Sequence, residues 1–451
     1  MMTQRPLSSF ALRAVCIVAA LSLTAGCDTL SNWFKSSKES KIPGERISIL
    51  ALEGKIEADR SLAERQVELP RPYVNAIWSQ FAGSADHAVQ HLALGEKPVK
   101  MWKRSLGEGS GKDGKLVSYP VIAGGFLYGI DAEGTVTKLD AKTGDRIWSV
   151  ELAPDELDPG LGFGGGVAYD NGKLFVTTGF GISFALDAKT GKQLWHKAIN
   201  VPLRAAPVAA GGRVYVSTHD NQLFALSADD GRELWNFQSI AESAGILAPA
   251  AVAVSGDTVV APFSSGELVA LRAESGKVLW TDQLARSRRV TPLGAISDIS
   301  SAPVIDRGRV FAISHGGRLV SIDLRTGERA WTQDIAGVQT PWVAGDYLFV
   351  VTVDAQVLCL SRIDGRIKWI SELEKFEDPA ERDGAIEWSG PVLAGDRLIL
   401  VNSLGQAVTM SPYTGARLGR LDLPEGTFIA PIVANQILYF VTDDADLIAL
   451  R

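Results

Sequence analysis

Three groups of residues in this 451-residue chain have types and spacings that could do chemistry. Gly160-Leu161-Gly162-Phe163-Gly164-Gly165 satisfies G-x-G-x-x-G, the pattern that cradles a dinucleotide pyrophosphate. That fingerprint must follow a strand and open a helix; here it opens a strand, so the nucleotide reading is set aside. His87 and His91 have the i, i+4 spacing of two metal ligands on one helix face, but no third ligand accompanies them. Asp443-Asp444-Ala445-Asp446 has the composition of a calcium loop without the distal glutamate in frame, and a solvated turn accounts for it better. Five histidines and three cysteines assemble no Ser-His-Asp or Cys-His arrangement. The chain reads as a protein that catalyses nothing and holds no cofactor or metal.

The cysteines serve another purpose. Arg5 and Arg13 precede an apolar run from Ala14 to Leu23, too short to remain as a bilayer-spanning helix. It ends in Leu23-Thr24-Ala25-Gly26-Cys27, small residues before a cysteine, which reads as a lipoprotein signal. Residues 1–26 would be removed and Cys27 acylated. Cys16 leaves with the signal, so Cys359 remains alone, without a disulfide partner, as a small core residue. Residues 27–46, rich in serine and lysine, read as a flexible tether. Residues 47–97 read as an arm lying along the surface of the main domain. Without Arg5 and Arg13 the chain keeps 43 basic and 52 acidic residues, a net of −9, which argues against nucleic acid. No later stretch is apolar enough to span a bilayer, so membrane attachment would be through lipid alone.

The main domain, 98–451, repeats one phrase. Phe184-Ala185-Leu186-Asp187-Ala188-Lys189-Thr190-Gly191-Lys192-Gln193-Leu194-Trp195 is an apolar run, a polar turn closed by glycine and a second run carrying tryptophan: a hairpin. It recurs around Gly144, Gly231, Gly276, Gly327, Gly365 and Gly415 at steps of 38 to 51 residues. Each unit opens on Pro120, Gly166, Pro207, Pro249, Pro303, Pro341, Pro391 or Pro431, and all but the last hold four short runs. The expected fold is therefore all-β, an eight-bladed β-propeller of four-stranded antiparallel blades. The last unit has only three runs, leaving an unpaired edge. Segment 98–106, with Trp102 at fourth-strand spacing, is expected to pair with Leu447–Arg451 and close the ring. The repeated tryptophans are expected to dock on the neighbouring blade.

Antiparallel strands put the Thr-Gly turns and the short turns after each first strand on one face, and the inter-blade connectors on the other. The connectors vary: Glu151 to Gly165 is acidic, Ala285 to Ser301 carries Arg286, Arg288 and Arg289, and Glu374 to Glu387 is mostly acidic. Variable loops on a rigid scaffold point to binding at the connector face.

The repeated Ala-Leu-Asp-Ala-x-Thr-Gly-x-x-x-Trp phrase resembles the pyrroloquinoline-quinone-type propeller repeat. Together with the lipid signal, it makes the chain similar to the BamB family of outer-membrane β-barrel assembly lipoproteins over residues 98–451. The resemblance implies a non-catalytic periplasmic scaffold anchored to the outer membrane. Its partner would be the POTRA domains of the central assembly protein, BamA, with unfolded barrel clients as further partners. The family's Ser-Asp-Val-Asp contact falls on Ser297-Asp298-Ile299-Ser300, so Asp298 carries over and Ser300 departs. The preceding connector, Ala244-Gly245-Ile246-Leu247, keeps the family's apolar character without its arginine. Partner binding is thus expected at Asp298, Ser297, Ile299, Ile246 and Leu247. Asp28 departs as well: after the lipidated cysteine it is a retention signal for the inner membrane. The rival reading is a quinone-dependent dehydrogenase, many of which pair adjacent cysteines that this chain lacks.

Overall fold

Each hairpin phrase folds because its turn is satisfied locally. The Asp187 carboxylate accepts from Thr190 N and Oγ1, both at 2.7 Å, and Asp323 accepts from Thr326 N at 2.9 Å. Gly191 closes the turn at φ +75°, a conformation that costs glycine nothing. Strands then pair in order. In the third blade Val208–Ala210, Arg213–Ser217, Gln222–Ser227 and Glu233–Gln238 form one antiparallel sheet.

The computed structural model describes residues 56–111, 116–154, 164–203, 205–240, 250–284 and 298–451. It contains eight four-stranded antiparallel sheets, the blades, and a two-stranded hairpin, Phe376–Asp378 with Asp383–Ala385, in the connector between blades six and seven. In the eighth sheet Ile432–Ala434, Ile437–Val441 and Asp446–Leu450 are joined by Lys100–Ser105. That strand runs antiparallel to Asp446–Leu450, with Trp102 opposite Ala449 and Arg104 opposite Leu447. Val99 and Arg451 exchange backbone bonds at 2.7 and 2.9 Å just beyond it.

Blades are bolted together by the tryptophans. Each ring lies over the glycine-closed turn of the following blade: Trp148 on Gly191, Trp195 on Gly231, Trp235 on Gly276, Trp280 on Gly327, Trp331 on Gly365 and Trp369 on Gly415. A Cβ on Gly231 would sit 2.6 Å from the Trp195 ring, so the contact as well as the φ requires glycine there. The indole N–H donates to a carbonyl of the turn it covers, as Trp235 Nε1 does to Ala273 O at 2.9 Å and Trp280 Nε1 to Leu324 O at 2.8 Å. Apolar residues of adjacent sheets fill the space between blades: Phe175, Ala185 and Trp195 pack with Val214, Val216 and Leu226. Cys359 lies fully buried there, its thiol pushed up by burial.

The arm first lies along blade six as expected, with Asp59 N donating to Ile367 O at 2.8 Å and Lys368 Nζ to Ala63 O at 2.8 Å on the outer strand Ile367–Glu372. It then turns inward to lap the hub. The inner strand of each blade is a short edge with backbone groups turned to the axis, and those groups need partners. Residues 75–92 supply them in one lap. Asn435 N of blade eight donates to Asn75 O at 2.7 Å, and Trp78 and Ile122 of blade one exchange bonds at 2.8 and 2.7 Å. Tyr169 N of blade two donates to Ser79 O at 2.7 Å. The Gln80 amide brackets Ala209 of blade three at 2.6 and 2.9 Å. Val254 N of blade four and Ile305 N of blade five donate to Ala85 O and Asp86 O at 2.7 and 2.9 Å. Gly345 N of blade six donates to Gln90 Oε1 at 3.0 Å, and Gly395 N of blade seven to Leu92 O at 2.9 Å. Trp78, Phe81, Val89 and Leu92 are buried in the process.

Candidate functional site

The two faces separate as the strand directions require. Within a blade the two turns on one face bond to each other, as Ala188 N does to Gly172 O at 2.9 Å. On the other face the turn between second and third strands bonds the chain leaving the blade, as Gly181 O does with Ile199 N at 2.8 Å. The arm enters from the first of these faces, meeting the turns at Gly345, Gly395 and Asn435. Its inward residues line a cavity of about 520 Å³ on the side of blades five to eight, walled by connector residues such as Val338, Pro341, Trp388 and Phe428. The connector face is therefore concave there.

His87 and His91 stand on no helix, and different blades engage them. His87 Nδ1 lies 2.7 Å from Pro303 O and must carry the proton, since a carbonyl only accepts. Burial holds this imidazole neutral, its pKa lowered to about 4 against the opposing pull of Pro303 O and Asp86. His91 Nδ1 donates to Pro70 O at 2.8 Å while its Nε2 accepts from Asp396 N at 3.1 Å. Both imidazoles fasten the arm. Asp443 caps a plain turn, its carbonyl accepting from Ser110 N at 2.7 Å. Gly165 begins an inner strand, Gly165–Asp170; Gly160 to Phe163 lie outside the described residues.

Of the residues the resemblance singled out, Ser297, Ile246 and Leu247 lie outside the described residues, as do Cys27, Asp28 and the segments 1–26 and 27–46. Asp298 and Ile299 are described and have no exposed surface. Asp298 O accepts from His315 N at 3.2 Å, and Ile299 N donates to Phe263 O at 3.3 Å, so the pair ties its connector to turns of blades five and four. Burial lowers the pKa of His315 while the Asp298 carboxylate pulls it up. Asp298 is thus a buried residue held against blade five rather than an exposed contact.

Sequence reasoning missed the arm residues that line the cavity. Their signal was a pair of large apolar residues, Trp78 and Phe81, in a stretch without blade wording.

The family model described as outer membrane protein assembly factor BamB matches residues 101–371. The protein of that name from Escherichia coli K12 is 31% identical over 274 residues, 60% of this chain and 69% of its own length. The Salmonella typhimurium protein is 30% identical over 277 residues, 60% and 70% of the two chains. Among solved structures, BamB from Moraxella catarrhalis aligns with a TM-score of 0.66 at 18% identity, covering 79% of this chain and 100% of its own. Quinohemoprotein alcohol dehydrogenase from Comamonas testosteroni aligns at 0.65 and 13% identity, covering 88% and 82%. At these identities the solved structures share the fold alone.

The hub does not suit the quinone chemistry of that last neighbour. A polycarboxylate quinone with a divalent cation needs buried cations and clustered oxygen donors. Among the described residues lining the cavity the charged ones are Lys375, Glu387 and Asp443, none of them buried. No group of three or more histidine, cysteine or acidic side chains suited to a metal occurs among the described residues.

Proposed function

The chain belongs to the BamB family of outer membrane protein assembly factors, and on that premise we propose that it is a non-catalytic scaffold of outer-membrane protein assembly. It docks the POTRA region of the central assembly protein through its connector face. The observation that carries this reading is the arm's lap of the hub. It takes up one face of the axis and leaves the other, with the longest and most varied loops, for a partner. The connectors after blades three and four, including Ile246, Leu247, Ser297, Asp298 and Ile299, form the docking element. The mature chain is anchored through acylated Cys27 on the periplasmic side of the outer membrane, with Asp28 as the feature that would redirect it to the inner membrane. Among the described residues no helix is long and apolar enough to cross a membrane.

Photo-crosslinking in cells tests the docking face. Ile240, 62% exposed at the start of the connector after blade three, should capture the central assembly protein when replaced by a photoreactive residue. Val74, 53% exposed on the arm, should not. Capture from Val74 and none from Ile240 would reverse the assignment. Asp298→Asn should weaken co-purification without unfolding the chain.

We also propose that strand Lys100–Ser105 fastens the ring, because without it Asp446–Leu450 is an open edge. Deleting residues 98–106 should abolish cooperative melting, and an intact transition would sink the idea.

A further inference from the structure

We propose that the hub cavity is a binding site for a small, neutral, flat molecule that carries one hydrogen-bond acceptor and one donor. At about 520 Å³ the cavity falls within the ~300–1,000 Å³ typical of small-molecule sites. Its walls are aromatic and aliphatic: Phe81, Tyr119, Trp342 and Val338. Four lining residues bring buried polar atoms that have no hydrogen-bond partner: Trp78 Nε1, His87 Nε2, Ser300 Oγ and His315 Nδ1. The first three side chains are 2%, 3% and 3% exposed.

Buried polar atoms are normally paired, so four unpaired ones around one cavity call for an explanation. Their chemistry is complementary. Trp78 Nε1 can only donate. His87 has its Nδ1 proton committed to Pro303 O, so Nε2 is left as an acceptor. Ser300 Oγ serves either way, and His315 Nδ1 donates or accepts according to its tautomer. A ligand with a carbonyl and a hydroxyl or amide N–H offers both an acceptor and a donor to this set, while its flat body fills the aromatic walls. The lining holds no buried charge, and burial keeps His87 uncharged, so a charged ligand would shed its hydration without compensation. An ordered water needs two to four polar partners, and four atoms cannot anchor enough water to fill this volume. The site is distinct from the proposed docking function, which needs only the surrounding loops.

The test uses the purified full chain and two probes of one shape, 6-acetyl-2-naphthol and 6-hydroxy-2-naphthoate, followed by fluorescence titration at pH 6. The neutral ketone should bind saturably at one site per chain with a blue-shifted emission, and the carboxylate at least about tenfold more weakly. Val338→Trp, which fills the cavity from its wall, should abolish binding at an unchanged melting temperature, and Gln339→Trp serves if that variant folds poorly. Ser300→Ala should weaken the ketone several-fold. Absence of saturable binding, equal binding of the carboxylate, or unaltered binding by both tryptophan variants would overturn the proposal. So would a cavity that binds neither probe while Val338→Trp abolishes capture of the assembly partner, since that assigns the space to a polypeptide anchor.

Discussion

At the turn face the axis of the propeller is crossed by residues 75–92, which engage the inner edge of every blade and bury Trp78 and Leu92. At the connector face the hub is open down to about 520 Å³ of cavity on the side of blades five to eight, walled by loops that differ from blade to blade. The first arrangement is made mostly of backbone hydrogen bonds, which tolerate side-chain change but demand one path for the chain. The second is made of side chains and imposes little on the fold. Stability is thus concentrated at one end of the hub, so the loops of the other end can vary without loosening the ring.

Removing residues 56–97 should break this contrast most severely. Eight inner edges would lose partners together, and calorimetry should show a broad, non-cooperative transition. Deleting the connector hairpin Phe376–Ala385 should leave the transition sharp. Equal effects of the two deletions would end the comparison. Next in size is Trp78→Ala, expected to cost about 3–5 kcal/mol in denaturant unfolding, the range for truncating a buried aromatic residue.

A pH series sharpens the point. His87 is held neutral with its pKa lowered to about 4 from the ordinary 6.5. Between those values the unfolded chain binds the proton that the folded chain refuses. Stability should therefore fall as pH drops from about 6.5 toward 4, by up to about 3 kcal/mol from this residue. Above pH 6.5 the residue should contribute no slope. His87→Gln should flatten the urea-midpoint profile in that window, and an unchanged slope would place the proton uptake elsewhere. The smallest effect belongs to the connector face: Lys375→Met breaks an exposed ion pair with Asp354, and should change unfolding free energy by less than about 1 kcal/mol.

The repeat was legible because each blade encodes itself locally. An aspartate, a threonine and a glycine specify a turn within a few residues, and the tryptophan four positions after the glycine finds the same turn of the next blade. The arm was not legible in this way. Its partners lie between 44 and 360 residues away, and its path depends on single residues held at positive φ, Ala82, His87 and Gln90. No periodicity announces such a path. His87 and His91 look like a ligand pair only if they stand on a helix, and in the fold they serve blades five and seven. Asp298 showed its charge in the sequence but not its burial.

Composition, repeat and turn chemistry determined by themselves that this chain folds as eight antiparallel blades, because hairpins are written in contiguous residues. The shape of the hub was decided only in three dimensions. Which arm residue meets which inner edge, and which polar atoms are left around the cavity, depend on the ring assembling around a segment whose own sequence favours no regular element.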